Sequence, residues 1–420
     1  MDTGRRLGIG KATMKEEGNA EMTKEHESDR PVRETLLPYG QQWLDEQDIE
    51  AVVKVLRGAF LTQGPAIEHF ERKVADAVGA KYAVAFANGT AALHGACFAA
   101  EIGQGDEVIT TPITFLASSN CVLYQGGTPV FADIDMDTYN VAPSEIESKI
   151  TERTKAIIAV DFTGQPVEVD RISMLARDRN LVLIQDAAHS LGASYAGQKI
   201  GSWADMTMFS FHPVKHVTTG EGGVITTNDE RYYERLLLFR NHGMTRNPNR
   251  LIQNDGPWYY EMQELGYNYR MTDMQAALGA SQMDKLHDFV ARRREIASVY
   301  NECFSTLPGL VVPKQHPMAE SSWHLYVIRW LPEYFTASRK EIFEALRAEN
   351  IGVNVHYIPV YLQPYYQSLG YRPGLCPNAE SYYHTAITLP LFPKMTNEDI
   401  SDVQTAVKKV YDKYLKKAST

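Results

Sequence analysis

The chain has 420 residues, of which 44% are apolar and 22% charged, enough for a large core in about two or three domains of a soluble globular protein. No apolar run approaches the roughly 20 residues that cross a bilayer, and a net charge of −10 argues against nucleic acid or an anionic membrane as partner. The cysteines Cys97, Cys121, Cys303 and Cys376 are scattered, which fits a reducing cytoplasm and offers neither a zinc cluster nor a disulfide framework.

Residues 1–35 are polar, mixed in charge and without an apolar h-region, so a disordered extension is expected rather than a secretory signal. A helix is predicted from Asp45, with Ile49, Val52, Val53 and Leu56 on one face and Gly58 past its end. Short apolar runs then recur: Tyr82–Ala87, Glu107–Thr111, Pro129–Phe131, Ala156–Asp161, Leu181–Asp186, Asp205–Ser210 and Gly222–Thr227. Helical stretches separate most of them, which predicts an α/β fold with a mostly parallel seven-stranded sheet covered on both faces. The last two runs are joined by a loop instead, so that end of the sheet is expected to turn antiparallel. Residues 230–270 look like an extended polar and aromatic excursion, and a long helix is predicted from Thr272 to Phe304. A boundary near 285 divides a large domain (36–285) from a smaller α+β domain (286–420). In the latter, His324–Trp330 and Gly352–Tyr357 read as strands, Ser338–Glu349 as a helix, and a closing helix follows Asn397.

Several segments at strand ends carry chemistry. Asn88-Gly89-Thr90-Ala91-Ala92-Leu93 joins the first strand to a helix. A glycine there frees backbone N–H groups at a positive helix end, which suits a phosphate, although an ordinary tight turn has the same composition. Phe115 closes Thr111-Pro112-Ile113-Thr114-Phe115 after the second strand and is either a core aromatic or a stacking surface for a flat ring. Asp186 ends its strand in Asp186-Ala187-Ala188-His189, where a carboxylate faces the crevice or caps a helix. Ser210 and Lys215, in Ser210-Phe211-His212-Pro213-Val214-Lys215, lead into Glu221-Gly222-Gly223. A lysine amine condenses with an aldehyde, and a serine hydroxyl five residues earlier suits the phosphate of the same cofactor, pyridoxal phosphate (PLP). The order decides between the readings. Phosphate turn, aromatic, aspartate, serine and lysine follow strands of one parallel sheet, and all open on one edge.

With these segments the chain resembles the DegT/DnrJ/StrS family of PLP-dependent nucleotide-sugar aminotransferases, of the aspartate-aminotransferase (type I) fold, over residues 36–415. Leu61-Thr62-Gln63-Gly64-Pro65, Arg240-Asn241-His242-Gly243, Gly266-Tyr267-Asn268-Tyr269-Arg270, His356-Tyr357-Ile358-Pro359 and Leu389-Pro390-Leu391 extend the match. Within the family it is most similar to the 4-aminotransferases of the pseudaminic-acid pathway, through Thr110–Phe115, Thr218–Gly223 and Val355–Tyr361. The resemblance implies that Lys215 links to PLP and moves protons, Asp186 binds the ring nitrogen and Phe115 stacks on the ring. It implies that Gly89, Thr90, Ala91 and Ser210 hold the phosphate. His189 stands where many relatives carry glutamine facing the ring oxygen. Asn241 would reach the phosphate in a neighbouring subunit, giving a homodimer with shared sites. Tyr39, Thr62, Asn88, Asn268, Arg270, His356 and Tyr357 match substrate-facing segments. The implied reaction moves an amino group from an amino acid, L-glutamate by resemblance, to a UDP-linked 4-keto-6-deoxy sugar. Sister enzymes for other keto sugars and a PLP-dependent sugar dehydratase are the neighbouring alternatives. A PLP-shaped sensor without chemistry would be expected to show a damaged site, yet Asp186, Ser210 and Lys215 are all present.

Overall fold

A computed structural model describes residues 30–417. Seven strands form the main sheet: β1 (Tyr82–Phe86), β2 (Glu107–Thr110), β3 (Thr128–Phe131), β4 (Thr154–Val160), β5 (Val182–Asp186), β6 (Met206–Ser210) and β7 (Gly223–Thr227). Their order is β1-β7-β6-β5-β4-β2-β3, and β7 alone runs against its neighbours. Each expected strand is present, and the antiparallel end falls at the loop that replaces a crossover helix. The strands are largely apolar because helices cover both faces, burying residues such as Val84, Ile109, Ile157, Ile158 and Ile184 completely.

The helices that matter for the site are α1 (Glu46–Leu56), α2 (Pro65–Val78), α3 (Gly89–Ala99), α4 (Ala117–Tyr124), α5 (Glu230–Arg240), α6 (Asp273–Met283), α7 (Leu286–Phe304), α8 (Arg339–Ala348) and α9 (Asn397–Tyr414). α1 starts at Asp45 through a capping box with Asp48. The segment expected to be an extended excursion instead opens with α5, which Asp229 caps and which buries Tyr232, Leu236 and Phe239 on one face. The single helix predicted from Thr272 to Phe304 is two, interrupted at Asp284–Lys285, where Lys285 reaches Asp45 and Asp48 of the α1 start.

The C-terminal part builds a second core on an antiparallel sheet of β8 (Leu310–Val311), β9 (Tyr326–Trp330) and β10 (Ala386–Leu389). Gly352–Tyr357 is not the strand its alternation suggested. Its pairing is confined to bridges beside it and within it, Ile351 with Leu37 and Asn354 with Thr388, and the rest runs as a loop. Gly352 lies against the Leu37–Tyr39 backbone, so no second strand fits alongside. Of the expected disordered extension, residues 1–29 lie outside the described residues. Val32 and Arg33 pack on the C-terminal part, with Val32 N–H donating to Glu349 and Arg33 paired with Asp399 and Asp402.

Asp48 fastens α1 to the α6–α7 junction. Only 1% exposed, it accepts from Ser281 Oγ at 2.7 Å, Gln282 Nε2 at 2.7 Å and Lys285 Nζ at 2.8 Å. Removing this carboxylate takes an acceptor from all three; Gln282 is buried but keeps the Trp43 carbonyl, and the part-buried Lys285 keeps Asp45. Asp48→Ala is therefore expected to lower stability by about 2 kcal/mol in urea denaturation. A loss below about 1 kcal/mol would mean that water replaces the carboxylate at little cost.

Candidate active site

The carboxyl ends of β1, β2, β4, β5 and β6 open on a cavity of about 1110 Å³. Its floor is a phosphate-sized cradle. Asn88 caps α3 by accepting the Ala91 N–H at 2.8 Å, and the Ala92 N–H goes to the Asn88 carbonyl. The N–H groups of Gly89 and Thr90 precede any intrahelical acceptor and remain for a ligand at the positive end of the helix. Ser210 stands beside them, with its Oγ 3.5 Å from where a Cβ on Gly89 would sit. Gly223 makes this arrangement possible: a Cβ there would meet the Asn88 carbonyl oxygen at 2.5 Å. The Gly222-Gly223 pair is thus read structurally as a place where β7 must have no side chain.

Asp186 ends β5 and is 4% exposed. Ser118 Oγ donates to its Oδ2 at 2.6 Å and the Ala188 N–H to its Oδ1 at 3.2 Å. Burial pushes its carboxyl above the usual range, while Ser118, Ala188 and the nearby Lys215 pull it back. Oδ1 therefore retains capacity for a further donor from the cavity. Lys215 sits in the loop between β6 and β7, partly buried, and its Nζ lies 3.4 Å from His324 Nε2. Burial lowers its amine to about 8, with Asp186 opposing the shift and Arg293 adding to it. Such an amine is mostly protonated near physiological pH but has a far larger neutral fraction than an ordinary lysine, and that fraction can act as a nucleophile or a base.

The other walls come from further along the chain. His189 is buried and held neutral, with its Nε2 3.5 Å from the Tyr357 hydroxyl and its Nδ1 unpaired among the described residues. Phe115 lines the mouth, is 60% exposed, and lies 6.5 Å from the Tyr357 ring between centroids. Tyr39, Asn88, His356 and Tyr357 also line the cavity; His356 is oriented by Thr388 Oγ1 at 2.8 Å.

Four predicted residues lie elsewhere in this chain. Asn241 pairs with Asn268 in a backbone bridge, and Arg270 Nη1 donates to Asn241 Oδ1 at 2.5 Å. Asn241 and Arg270 line a second cavity of about 520 Å³; Thr62 bridges to Thr272 nearby. Ser118, His324 and Arg293 were not singled out from sequence. A signal existed for Ser118, which follows Thr114 by one helical turn and accepts or donates a 2.7 Å hydrogen bond with it. The other two come from the C-terminal part, where nothing local marks them.

Comparison with known proteins accounts for this arrangement. The DegT/DnrJ/EryC1/StrS aminotransferase family model matches residues 42–408. The spore coat polysaccharide biosynthesis protein SpsC of Bacillus subtilis is 42% identical over 380 residues, covering 90% of this chain and 98% of SpsC. The structure of Helicobacter pylori PseC, an aminotransferase involved in pseudoaminic acid biosynthesis, superposes with a TM-score of 0.84 at 35% identity, over 90% of this chain and 100% of PseC. The PLP form of Spr1654 from Streptococcus pneumoniae superposes with a TM-score of 0.83 at 32% identity, over 90% of this chain and 99% of that one. With the aminotransferase fold and a match over nearly its whole length, the chain belongs to the DegT/DnrJ/EryC1/StrS family, a PLP-dependent family, and is a sugar aminotransferase.

Proposed function

We propose that this chain is a PLP-dependent aminotransferase that moves an amino group from an amino acid, L-glutamate, to C4 of a UDP-linked 4-keto-6-deoxy-N-acetylhexosamine, in pseudaminic-acid-type amino-sugar biosynthesis. The observation that carries the reading is the convergence of Asp186, Lys215 and the Gly89–Ser210 cradle on one cavity. The residues present fit PLP. Two free helix-end amides and a hydroxyl suit its phosphate, a buried carboxylate with spare capacity suits its ring nitrogen, and a lysine with a lowered pKa suits its aldehyde. Ala91 contributes wall rather than a donor, because Asn88 takes its N–H.

Bound PLP supplies a carbonyl that condenses with amines and a ring that accepts electron density. The chain does the rest. Asp186 keeps the ring nitrogen protonated, Phe115 covers a ring face at the mouth, and His189 stands near the ring oxygen. Lys215 takes a proton from the donor carbon and returns one at the sugar carbon, so one amine serves both halves. Tyr39, His356 and Tyr357 form the wall toward the sugar. Asn241 would reach the site of a neighbouring copy in a two-fold dimer; Thr62, Asn268 and Arg270, which also lie outside the main cavity of this chain, are the proposed substrate-facing residues, and the Arg270 guanidinium suits a substrate pyrophosphate. The likeness to SpsC favours a second reading, a sister aminotransferase for a different nucleotide-linked keto sugar.

Borohydride reduction of the holoenzyme should fix PLP on Lys215, and Lys215→Ala should trap none and lose turnover by several orders of magnitude. Because the neutral amine attacks the aldehyde, uptake of PLP by cofactor-free protein should slow about tenfold per pH unit below about 8. Trapped cofactor on another lysine, or uptake independent of pH, would contradict the assignment.

Product NMR with a panel of 4-keto and 3-keto nucleotide sugars tests the substrate. The UDP-4-keto-6-deoxy-N-acetylhexosamine should give the 4-amino product, and UDP alone should compete, because the nucleotide supplies much of the binding. Preference for another nucleotide sugar selects the sister reading. Equal use of a free keto acid would end the nucleotide-sugar reading.

Sharing of sites predicts complementation. Lys215→Ala chains mixed with Asn241→Ala chains should regain part of their activity, since a hybrid dimer carries one site with both defects and one with neither. Subunit exchange without recovery would count against Asn241 acting across an interface.

A further inference from the structure

The polar side chain that the structure gives to the Lys215 amine is His324, with Nε2 at 3.4 Å from Nζ. This histidine is 4% exposed and its placement is restrained from several directions. Its backbone runs directly over Gly164: a Cβ on Gly164 would meet the amide nitrogens of His324 and Trp323 at 2.7 and 2.8 Å. The Ser322 and Leu325 amides donate to Gly164 and Thr163 at 3.0 and 3.1 Å. From α7, the wholly buried Arg293 reaches across and donates through Nη1 to the carbonyls of Trp323, His324 and Leu391 at 3.3, 3.2 and 2.8 Å. Nη1 is answered only by carbonyls and Nε and Nη2 have no partner among the described residues, so the guanidinium fixes backbone rather than balancing a carboxylate. The imidazole is packed against His189, with ring centroids 4.3 Å apart, and His216, at 5.6 Å.

We propose that His324, seated by Arg293, is the positioning partner of the Lys215 amine: its Nε2 accepts a hydrogen bond from Nζ whenever that amine is free, and keeps it aimed at the reacting atoms. The inference rests on Lys215 being the residue that links the cofactor. An ammonium has donors only, so toward protonated Lys215 the contact requires Nε2 as acceptor, and the proton of the neutral ring then sits on Nδ1, which has no partner among the described residues. The charged and titratable groups facing His324 are Lys215, His189, His216 and Arg293. Burial, reinforced by all four, holds the ring neutral, so it accepts the hydrogen bond without taking the proton. A lysine has four rotatable side-chain bonds, and an amine released from covalent attachment would otherwise sample them between proton transfers.

The test compares His324→Leu, which removes the acceptor at similar volume, His324→Asn, whose amide stops short of Nζ, and His324→Gln, whose amide reaches the place of Nε2. Melting temperatures check folding. Two quantities are read: the Lys215 titration in cofactor-free protein, by NMR of ¹³C-methylated lysines with Lys215→Arg to assign the signal, and the rate of the glutamate half-reaction in holoenzyme. Leu and Asn should move the Lys215 midpoint downward, because the ammonium loses its acceptor. They should slow the half-reaction roughly tenfold with the sugar KM unchanged, and Gln should restore both. Folded Leu and Asn variants with wild-type titration and rate would overturn the proposal. Equal losses in all three would also overturn it, as the mark of a merely structural histidine. If Leu does not fold, the Asn–Gln comparison alone decides. Borohydride trapping on another lysine would defeat the functional reading, whereas an unmoved Lys215 titration defeats only this inference.

Discussion

A carboxylate carried out of water has to be compensated, and Asp186 is compensated sparingly. One hydroxyl, one amide and the influence of a neighbouring amine answer a charge that burial disfavours. A cationic ring nitrogen arriving from the cavity would complete the set. Under the proposed function that shortfall would serve recognition, because a ligand with a protonated ring would answer the carboxylate. The position of Lys215 follows from the same economy of charge. Near Asp186 it is less strongly discouraged from protonation than its burial alone would dictate, and its amine settles in the range where both protonation states are accessible.

The two structural units divide the labour. The main sheet supplies Asp186 and Ser210 from strand ends, fixed by the hydrogen-bond ladder, and Gly89, Phe115 and Lys215 from the segments that follow its strands. The C-terminal unit supplies His356 and Tyr357 to the cavity wall and brings His324 to the Lys215 amine. The junction between them is tight where it matters. Gly164 leaves no space for a side chain under Trp323 and His324, and the carbonyls of Gly164 and Thr163 accept the Ser322 and Leu325 amides.

Most of the main sheet was legible because each of its strands is buried on both faces and reads as a short apolar run between helix-like segments. That these residues gather on one cavity was legible for a related reason: they follow those runs, and in a parallel sheet strand ends share an edge. What escaped notice depends on contacts distant in sequence. Arg293 sits in Arg292-Arg293-Arg294, which reads as a solvated helix face, yet Arg293 is wholly buried. His324 heads an apolar strand and reads as an ordinary core histidine. Gly352–Tyr357 alternates like a strand, but the strand assignment needs a neighbour along its length, and the backbone of Leu37–Tyr39 occupies that side. α5 was obscured by its tyrosines and arginines, although Tyr232, Leu236 and Phe239 fall on one helical face.

The reversed strand has a bearing on how the protein is made. β1 has a single neighbour in the sheet, and that neighbour is β7. Some 140 residues of chain separate the two strands, from Phe86 to Gly223 where they pair. Until β7 has left the ribosome and slotted between β1 and β6, the turn that carries Gly89 and Thr90 has no ladder joining it to the strand that carries Asp186. Joining the two halves of the candidate site into one sheet is thus tied to a pairing of segments distant in sequence, the kind of contact that forms slowly in folding.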